Sequence, residues 1–275
     1  MSSFSTLKVS RLENGIVQVE LNRPRKANAM NKQFWLEMRQ CFKSLATDGN
    51  CRVVLLKATH ESKVFTAGLD LNDLPMPENQ NGIDSARIAC RYQTLIKELQ
   101  ESFTVIEKCP QPVIACVSGA CIGAGVDMIS ACDIRLCTED TWFSIKEVDI
   151  GLAADVGTLQ RMPKIVGNDS IIRELVYTGR PFNAKEALNI GFIGSICKNK
   201  VELYEKAMHI ARSIASKSPV AIAGSKHNLI YSRDHSVLES LDHMAIWNGS
   251  MLQTKDMVEC MRASAMKQSP TFSKL

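Results

Sequence analysis

A chain of 275 residues is long enough for one large domain, or one domain with a helical appendage, and its 45% hydrophobic and 23% charged residues are ordinary for a soluble globular protein. The net charge of +4 comes from lysines and arginines scattered among acids, with no polybasic run, which argues against a nucleic-acid partner. The longest apolar stretch is broken by Ser118, several glycines and Asp127, and falls short of the ~20 residues that span a bilayer.

The first half reads as alternating strands and helices. Ile16-Val17-Gln18-Val19-Glu20-Leu21 alternates like a strand and closes at the turn-like Asn22-Arg23-Pro24-Arg25. A helix is expected over 32–46, then a β-rich run over 52–57. Residues 75–82, with Pro75, Pro77, Asn79, Asn81 and Gly82, make the clearest loop. A long helix is expected over 83–108, ended by Cys109-Pro110, because a residue before proline avoids the helical region. Residues 113–117 make a buried strand, and a Gly-rich turn then feeds a short helix up to Ala131. Beyond about residue 165 the pattern becomes helices with short connections, over 202–216, 220–231, 236–247 and 251–266. Pro219 suits a helix start and Asp234 suits a cap. The expected architecture is an α/β core over 1–200 with an α-helical region over 201–275.

The ten cysteines lie mostly in apolar runs (Cys90, Cys116, Cys121, Cys132, Cys137), where a free thiol behaves as a small hydrophobe. No C-x-x-C pair and no Cys/His zinc spacing occurs, so reduced thiols of an intracellular protein, and no metal, are expected. The first seven residues lack a basic region with an apolar core, which argues against a secretory or strong transit peptide. The chain ends Ser273-Lys274-Leu275, the receptor-read peroxisomal address, after a segment expected to be frayed and reachable. A peroxisome or a related organelle such as a glycosome is the expected compartment, with its import receptor as a partner.

Three carboxylates stand in apolar surroundings. Asp127 closes the run 112–126, Glu147 follows Trp142-Phe143-Ser144-Ile145-Lys146, and Asp155 follows Gly151-Leu152-Ala153-Ala154. Ionised acids are rarely buried without partners, because lost hydration costs several kcal/mol. Acids kept in such places suggest proton chemistry, with pKa values raised toward the working pH. Each also has a plainer reading: Asp155 as an N-cap, Glu147 as a solvated charge on a strand edge, Asp127 as a complement to a helix dipole. The five histidines (His60, His209, His227, His235, His243) assemble no Ser-His-Asp or metal constellation by spacing.

The glycine turn over 119–125 fails the dinucleotide fingerprint, since Met128 stands where a third Gly is needed, and it lacks the Gly-Lys-Ser/Thr of a P-loop. A glycine turn opening a helix still leaves N–H groups pointing outward with the helix dipole behind them, which suits an oxyanion; it also suits plain tight packing. A second small-residue turn, Phe65-Thr66-Ala67-Gly68-Leu69-Asp70, is a source for the other donor such a hole needs.

Leu21-Asn22-Arg23-Pro24, the 65–70 turn and the run 112–133 together resemble the enoyl-CoA hydratase/isomerase (crotonase) superfamily over essentially the whole chain. The run from Lys146-Glu147-Val148-Asp149 through Ala154-Asp155-Val156-Gly157-Thr158-Leu159-Gln160-Arg161 closely resembles the Δ3,5-Δ2,4-dienoyl-CoA isomerases, as does Tyr231-Ser232-Arg233-Asp234-His235-Ser236. Peroxisomal members of that group end in the same address. The resemblance implies a crotonase-like spiral of ββα units with a helical C-terminal region, a homotrimer or homohexamer, and an acyl-CoA substrate with no metal or redox cofactor. It implies oxyanion-hole N–H groups at Ala67 and Ala124, and a substrate lining from Ala67, Gly68, Leu69, Asp70 and Leu71. Arg25, Lys26 and Ala29 would approach the CoA nucleotide, and Asp127, Glu147 and Asp155 would form the acid triplet. A hydratase would carry Glu at 127 and normally Gly at 155, so both positions favour isomerisation of 3,5-dienoyl-CoA in fatty acid β-oxidation. Enoyl-CoA hydration, Δ3-Δ2 isomerisation by one acid, and a non-enzymatic RNA-binding role are the alternatives.

Overall fold

The computed structural model describes residues 4–73 and 82–275, so all but Gly82 of the loop expected at 75–82 lies outside the described residues. In chain order the elements are β1 (Leu7–Arg11), β2 (Ile16–Leu21), α1 (Lys32–Ala46), β3 (Val53–Ala58), α2 (Ser85–Lys108), β4 (Val113–Val117), β5 (Ala120–Ile122) and α3 (Ala124–Ser130). There follow β6 (Ile134–Thr138), β7 (Trp142–Ser144), α4 (Thr158–Ile165), α5 (Asp169–Thr178), β8 (Phe182–Asn183), α6 (Ala184–Asn189) and β9 (Ser195–Cys197). Four helices close the chain: α7 (Lys200–Ala215), α8 (Pro219–Ser232), α9 (Val237–Met251) and α10 (Lys255–Ala265).

Six strands form one sheet in the order β1-β2-β3-β4-β6-β9, parallel throughout except for the β1–β2 hairpin at its edge. Every residue of β4 is buried, as a central parallel strand covered on both faces requires. Side-chain alternation divides β3 between the two faces. Val54 and Leu56 join the large core with Phe34, Met38 and Phe42 of α1, whereas Val53 and Leu55 meet Leu203, Ala207, Met208 and Ala211 of α7. Helix α7 is therefore part of the core, and the helical region outside it is α8–α10 rather than everything after 200. The spacing of Phe34, Met38, Cys41, Phe42 and Leu45 explains α1, whose start is capped by Asn31 accepting from the Phe34 N–H.

A second sheet, β5-β7-β8, corrects the reading of 119–125 as a single turn. Strand β5 sits inside it, between Gly119 at φ 68° and Gly123 at φ 52°, and pairs with β7 in parallel. Strands β8 and β9 likewise interrupt the expected all-helical stretch after 165. Asp234 caps nothing: Ser236 caps α9 in a reciprocal box with Glu239, and Asp234 pairs with Lys164. The helix expected over 251–266 starts at Lys255, where Thr254 accepts from the Asp256 N–H.

The tail is docked rather than frayed. Arg52 Nη2 donates to the carbonyls of Phe272 (3.2 Å) and Ser273 (3.1 Å), and the Leu275 carbonyl would lie 2.6 Å from a Cβ at Gly49. Gly49→Ala should therefore loosen the tail. Carboxypeptidase release of Leu275 should accelerate about tenfold, the factor given by ~1.4 kcal/mol of lost contact. An unchanged release rate would mean that the docking contributes nothing. No helix among the described residues is long and apolar enough to cross a membrane.

Candidate active site

The site forms where the 65–70 turn meets the start of α3. Gly68 has φ 84°, and a Cβ there would lie 2.6 Å from the Ile122 carbonyl oxygen and 3.5 Å from the Ala124 nitrogen. Only a glycine lets the two backbones approach so closely. Thr66 supports the turn, its Oγ1 donating to the Asn28 carbonyl (2.8 Å) and accepting from the Gly68 N–H (3.0 Å). Buried Asn28 accepts from the Arg23 N–H (2.8 Å) and donates to the Phe65 carbonyl (2.9 Å), tying the 22–29 segment to the site. Neither residue was singled out from sequence. The signal available was an Asn in a turn-rich segment, where its left-handed φ of 51° is tolerated.

The Ala67 assignment needs correcting, because its N–H is already donated to the Ala27 carbonyl at 2.9 Å. Met30 binds on both sides of the next residue, its N–H donating to the Gly68 carbonyl (2.8 Å) and its carbonyl accepting from Asp70 (3.1 Å). That leaves the Leu69 N–H without a hydrogen bond among the described residues. The Ala124 N–H, at the first position of α3, is likewise free there. Leu69 and Ala124 are therefore the two available donors, brought together by Gly68.

Of the other expected lining residues, Leu71 is exposed, while Asp70 is drawn into an ion pair with Arg23 at 2.9 Å that holds its carboxyl below the usual range. Asp70 thus pins the turn rather than lining the substrate. Arg25 and Lys26 are exposed on the Pro24–Lys26 turn, followed by half-buried Ala29, whose carbonyl accepts from Arg23.

Asp127 and Glu147 meet, and Asp155 lies near enough for its charge to act on both. Asp127 is fully buried, and its Oδ1 accepts the Thr158 N–H at 2.5 Å, while Oδ2 finds no donor among the described residues. It thereby satisfies the first N–H of α4, a task Asp155 does not perform; the N-cap position belongs to Gly157. Glu147 lies half-buried on the Glu147–Ile150 turn, not on a strand edge, with Oε1 3.2 Å from where a Gly123 Cβ would stand and Oε2 without a donor among the described residues, its carboxyl set against that of Asp127. Asp155 is exposed on the loop before α4, its carbonyl accepting from Gln100 Nε2 at 2.7 Å.

Burial pushes Glu147 up to about 7, with the Asp127 charge adding to the rise. Burial also lifts Asp127 to about 6, against the pull of the Thr158 N–H. Asp155, though its surface is exposed, is raised as well, by the partial loss of hydration around its carboxyl. Carboxyls titrating near neutrality beside two free N–H donors are equipped to move protons on a substrate whose negative charge develops at an oxygen. Among the described residues no group of three or more His, Cys, Asp or Glu is placed to hold a metal.

The sequence profile of the enoyl-CoA hydratase/isomerase family matches residues 11–274. A mouse protein named Δ3,5-Δ2,4-dienoyl-CoA isomerase, mitochondrial, is 50% identical over 99% of this chain and 84% of its own length. An Arabidopsis thaliana protein named as the peroxisomal form is 41% identical over 100% of this chain and 99% of its own. Among solved structures, an enoyl-CoA hydratase from Bacillus anthracis superposes with a TM-score of 0.86 at 27% identity, covering 98% of this chain and 99% of that one. With its fold, its profile match and full-length relatives in agreement, this chain belongs to the enoyl-CoA hydratase/isomerase family.

Proposed function

We propose that the chain converts 3,5-dienoyl-CoA to 2,4-dienoyl-CoA in fatty acid β-oxidation. The nearness of Asp155 to Asp127 and Glu147 carries the reading, because a double-bond shift over the five carbons C2 to C6 needs one group to take a proton and another to return one. The C2–H bond breaks, the electron pair spreads over C2, C4, C6 and the thioester oxygen, and a C6–H bond forms, with no net proton change. Leu69 and Ala124 N–H groups donate to the thioester oxygen as its charge grows. Glu147 and Asp155 are the transfer pair, one as base and one as acid. Asp127, buried between them and α4, raises Glu147 by its charge and fixes the 155–158 loop through Thr158. Both transfers run on carboxylates of the chain, and CoA enters as part of the substrate. Purified protein given 3,5-octadienoyl-CoA and, separately, a 2-enoyl-CoA tests this: isomerisation of the first is expected, and fast hydration of the second with no isomerisation refutes it.

Assembly into a homotrimer or homohexamer fits helix α9, which buries no residue while Val237, Leu238, Leu241 and Ile246 are 77%, 70%, 61% and 76% exposed. Light scattering should show an oligomer at micromolar concentration; a monomer contradicts it. A peroxisomal address rests on Ser273-Lys274-Leu275 and on the plant relative named peroxisomal, against animal relatives named mitochondrial. Deleting Leu275 should leave the protein diffuse, and unchanged organellar import rules the tripeptide out.

A further inference from the structure

A line of charged and polar groups runs from the acid loop to the end of α8. Gln100, Thr104 and Glu107 share one face of α2. Gln100 binds the Asp155 carbonyl, Thr104 Oγ1 accepts from Arg161 Nη2 at 3.1 Å, and Glu107 Oε2 lies 3.3 Å from Arg161 Nε. Arg161 Nη1 reaches the Val156 carbonyl at 3.4 Å, and a Cβ at Gly157 (φ 142°) would lie 1.9 Å from that same nitrogen. The guanidinium is thus laid directly on the backbone of the acid loop. On the far side, Arg233 Nη1 donates to Glu107 Oε1 at 2.5 Å.

The Arg161 and Glu107 side chains are only 10% and 12% exposed. A buried ion pair is a weak source of stability, since desolvation offsets its Coulomb gain and apolar replacements are often no worse. Its placement therefore needs another reason, and the loop supplies one. We infer that Arg161, braced by Glu107 and Arg233, is a positioning residue for proton transfer: it fixes the 155–158 loop, which carries Asp155 and the Thr158 N–H bound by Asp127, against α2. The inference rests on the isomerase reading for the role of the acids. Asp127 feels the charges of Glu147, Asp155 and Cys121, which oppose its ionisation; the Thr158 N–H and hydroxyl draw it down most, and Arg161 is the one cation that adds to that pull. Arg161 in turn faces Glu107, with Lys164, Arg233 and Asp234 bordering the same cavity of about 580 Å³.

The test compares two neutralising substitutions in the full chain. Arg161→Met removes the cation, so Asp127 should hold its proton to higher pH, and kcat should fall about tenfold with KM within about twofold. Its acidic limb should move up in pH. Glu107→Gln leaves Arg161 less compensated and should move that limb down. Carboxyl NMR of Asp127 should show the same opposed shifts without substrate, so the inference stands or falls apart from the isomerase reading, which fails only if the wild type does not turn over 3,5-dienoyl-CoA. Should Arg161→Met not fold, Arg233→Gln, at the more exposed end, should move Asp127 in the same upward direction. Asp127 shifts that are absent, or of one sign for both changes, overturn the inference.

Discussion

Replacing Glu147 by Gln should lower kcat on 3,5-dienoyl-CoA by about 10²–10⁴-fold, the usual contribution of a positioned acid–base group. The same change should stabilise the fold at pH 8. Burial lifts Glu147 from 4.5 to about 7, so the folded chain binds that proton more tightly than the unfolded chain does. Stability from this group is fully present below about pH 4 and is lost as pH rises through about 7. Gln never ionises and escapes that loss, so the variant should gain about 3 kcal/mol at pH 8 and nothing near pH 4. Thermal unfolding across that range checks the sign. Asp155→Asn should lose activity on the same scale with little change in stability, because the Thr158 N–H that a cap would bind is held by Asp127. The double variant should be much less than multiplicatively worse if the two acids act as one relay. Near-full activity in either single variant removes that residue from the mechanism.

Gly68→Ala should be the most damaging small change to the oxyanion site. Its Cβ would press within 2.6 Å of the Ile122 carbonyl oxygen, at a φ of 84° that alanine resists. Relief requires the end of β5 and the start of α3 to move away from the 65–70 turn, which separates the Leu69 and Ala124 N–H groups. Loss of one oxyanion donor costs about 10²–10³-fold in hydrolytic enzymes, so a fall in kcat of at least about 10²-fold is expected. Gly191→Ala is the control: its φ is 82°, but a Cβ there meets nothing within 4 Å. It should lose about 1 kcal/mol of stability through backbone strain alone and keep its activity. Equal kinetics in the two variants would show that the close approach at Gly68 does not shape the site.

The long periodic elements were legible because burial writes itself into spacing: the stripe from Phe34 to Leu45 and the unbroken apolar run of β4 leave few alternatives. Strands β5, β8 and β9 were not, since two or three residues carry no readable period and owe their pairing to distant partners. The acid triplet was visible as charge among apolar neighbours. Which backbone N–H stays free was not, because Ala67 and Leu69 differ only in what the fold sets opposite them: the Ala27 carbonyl for one and no acceptor among the described residues for the other. The role of Arg161 was hidden for a similar reason, as its partners Thr104 and Glu107 lie on another helix. Asp127, suited by sequence to the dipole of its own helix, serves the first N–H of a different one.

A proton shift that brings two double bonds into conjugation with a thioester changes the ultraviolet spectrum. The most direct measurement is a single turnover of 3,5-octadienoyl-CoA by the wild-type chain, with Glu147→Gln alongside. The expected result is a rise in the longer-wavelength absorbance of the 2,4-dienoyl thioester with the wild type and a rise slowed by about 10²–10⁴-fold with the variant. A wild-type spectrum that stays unchanged, or a variant that matches the wild type, would contradict it.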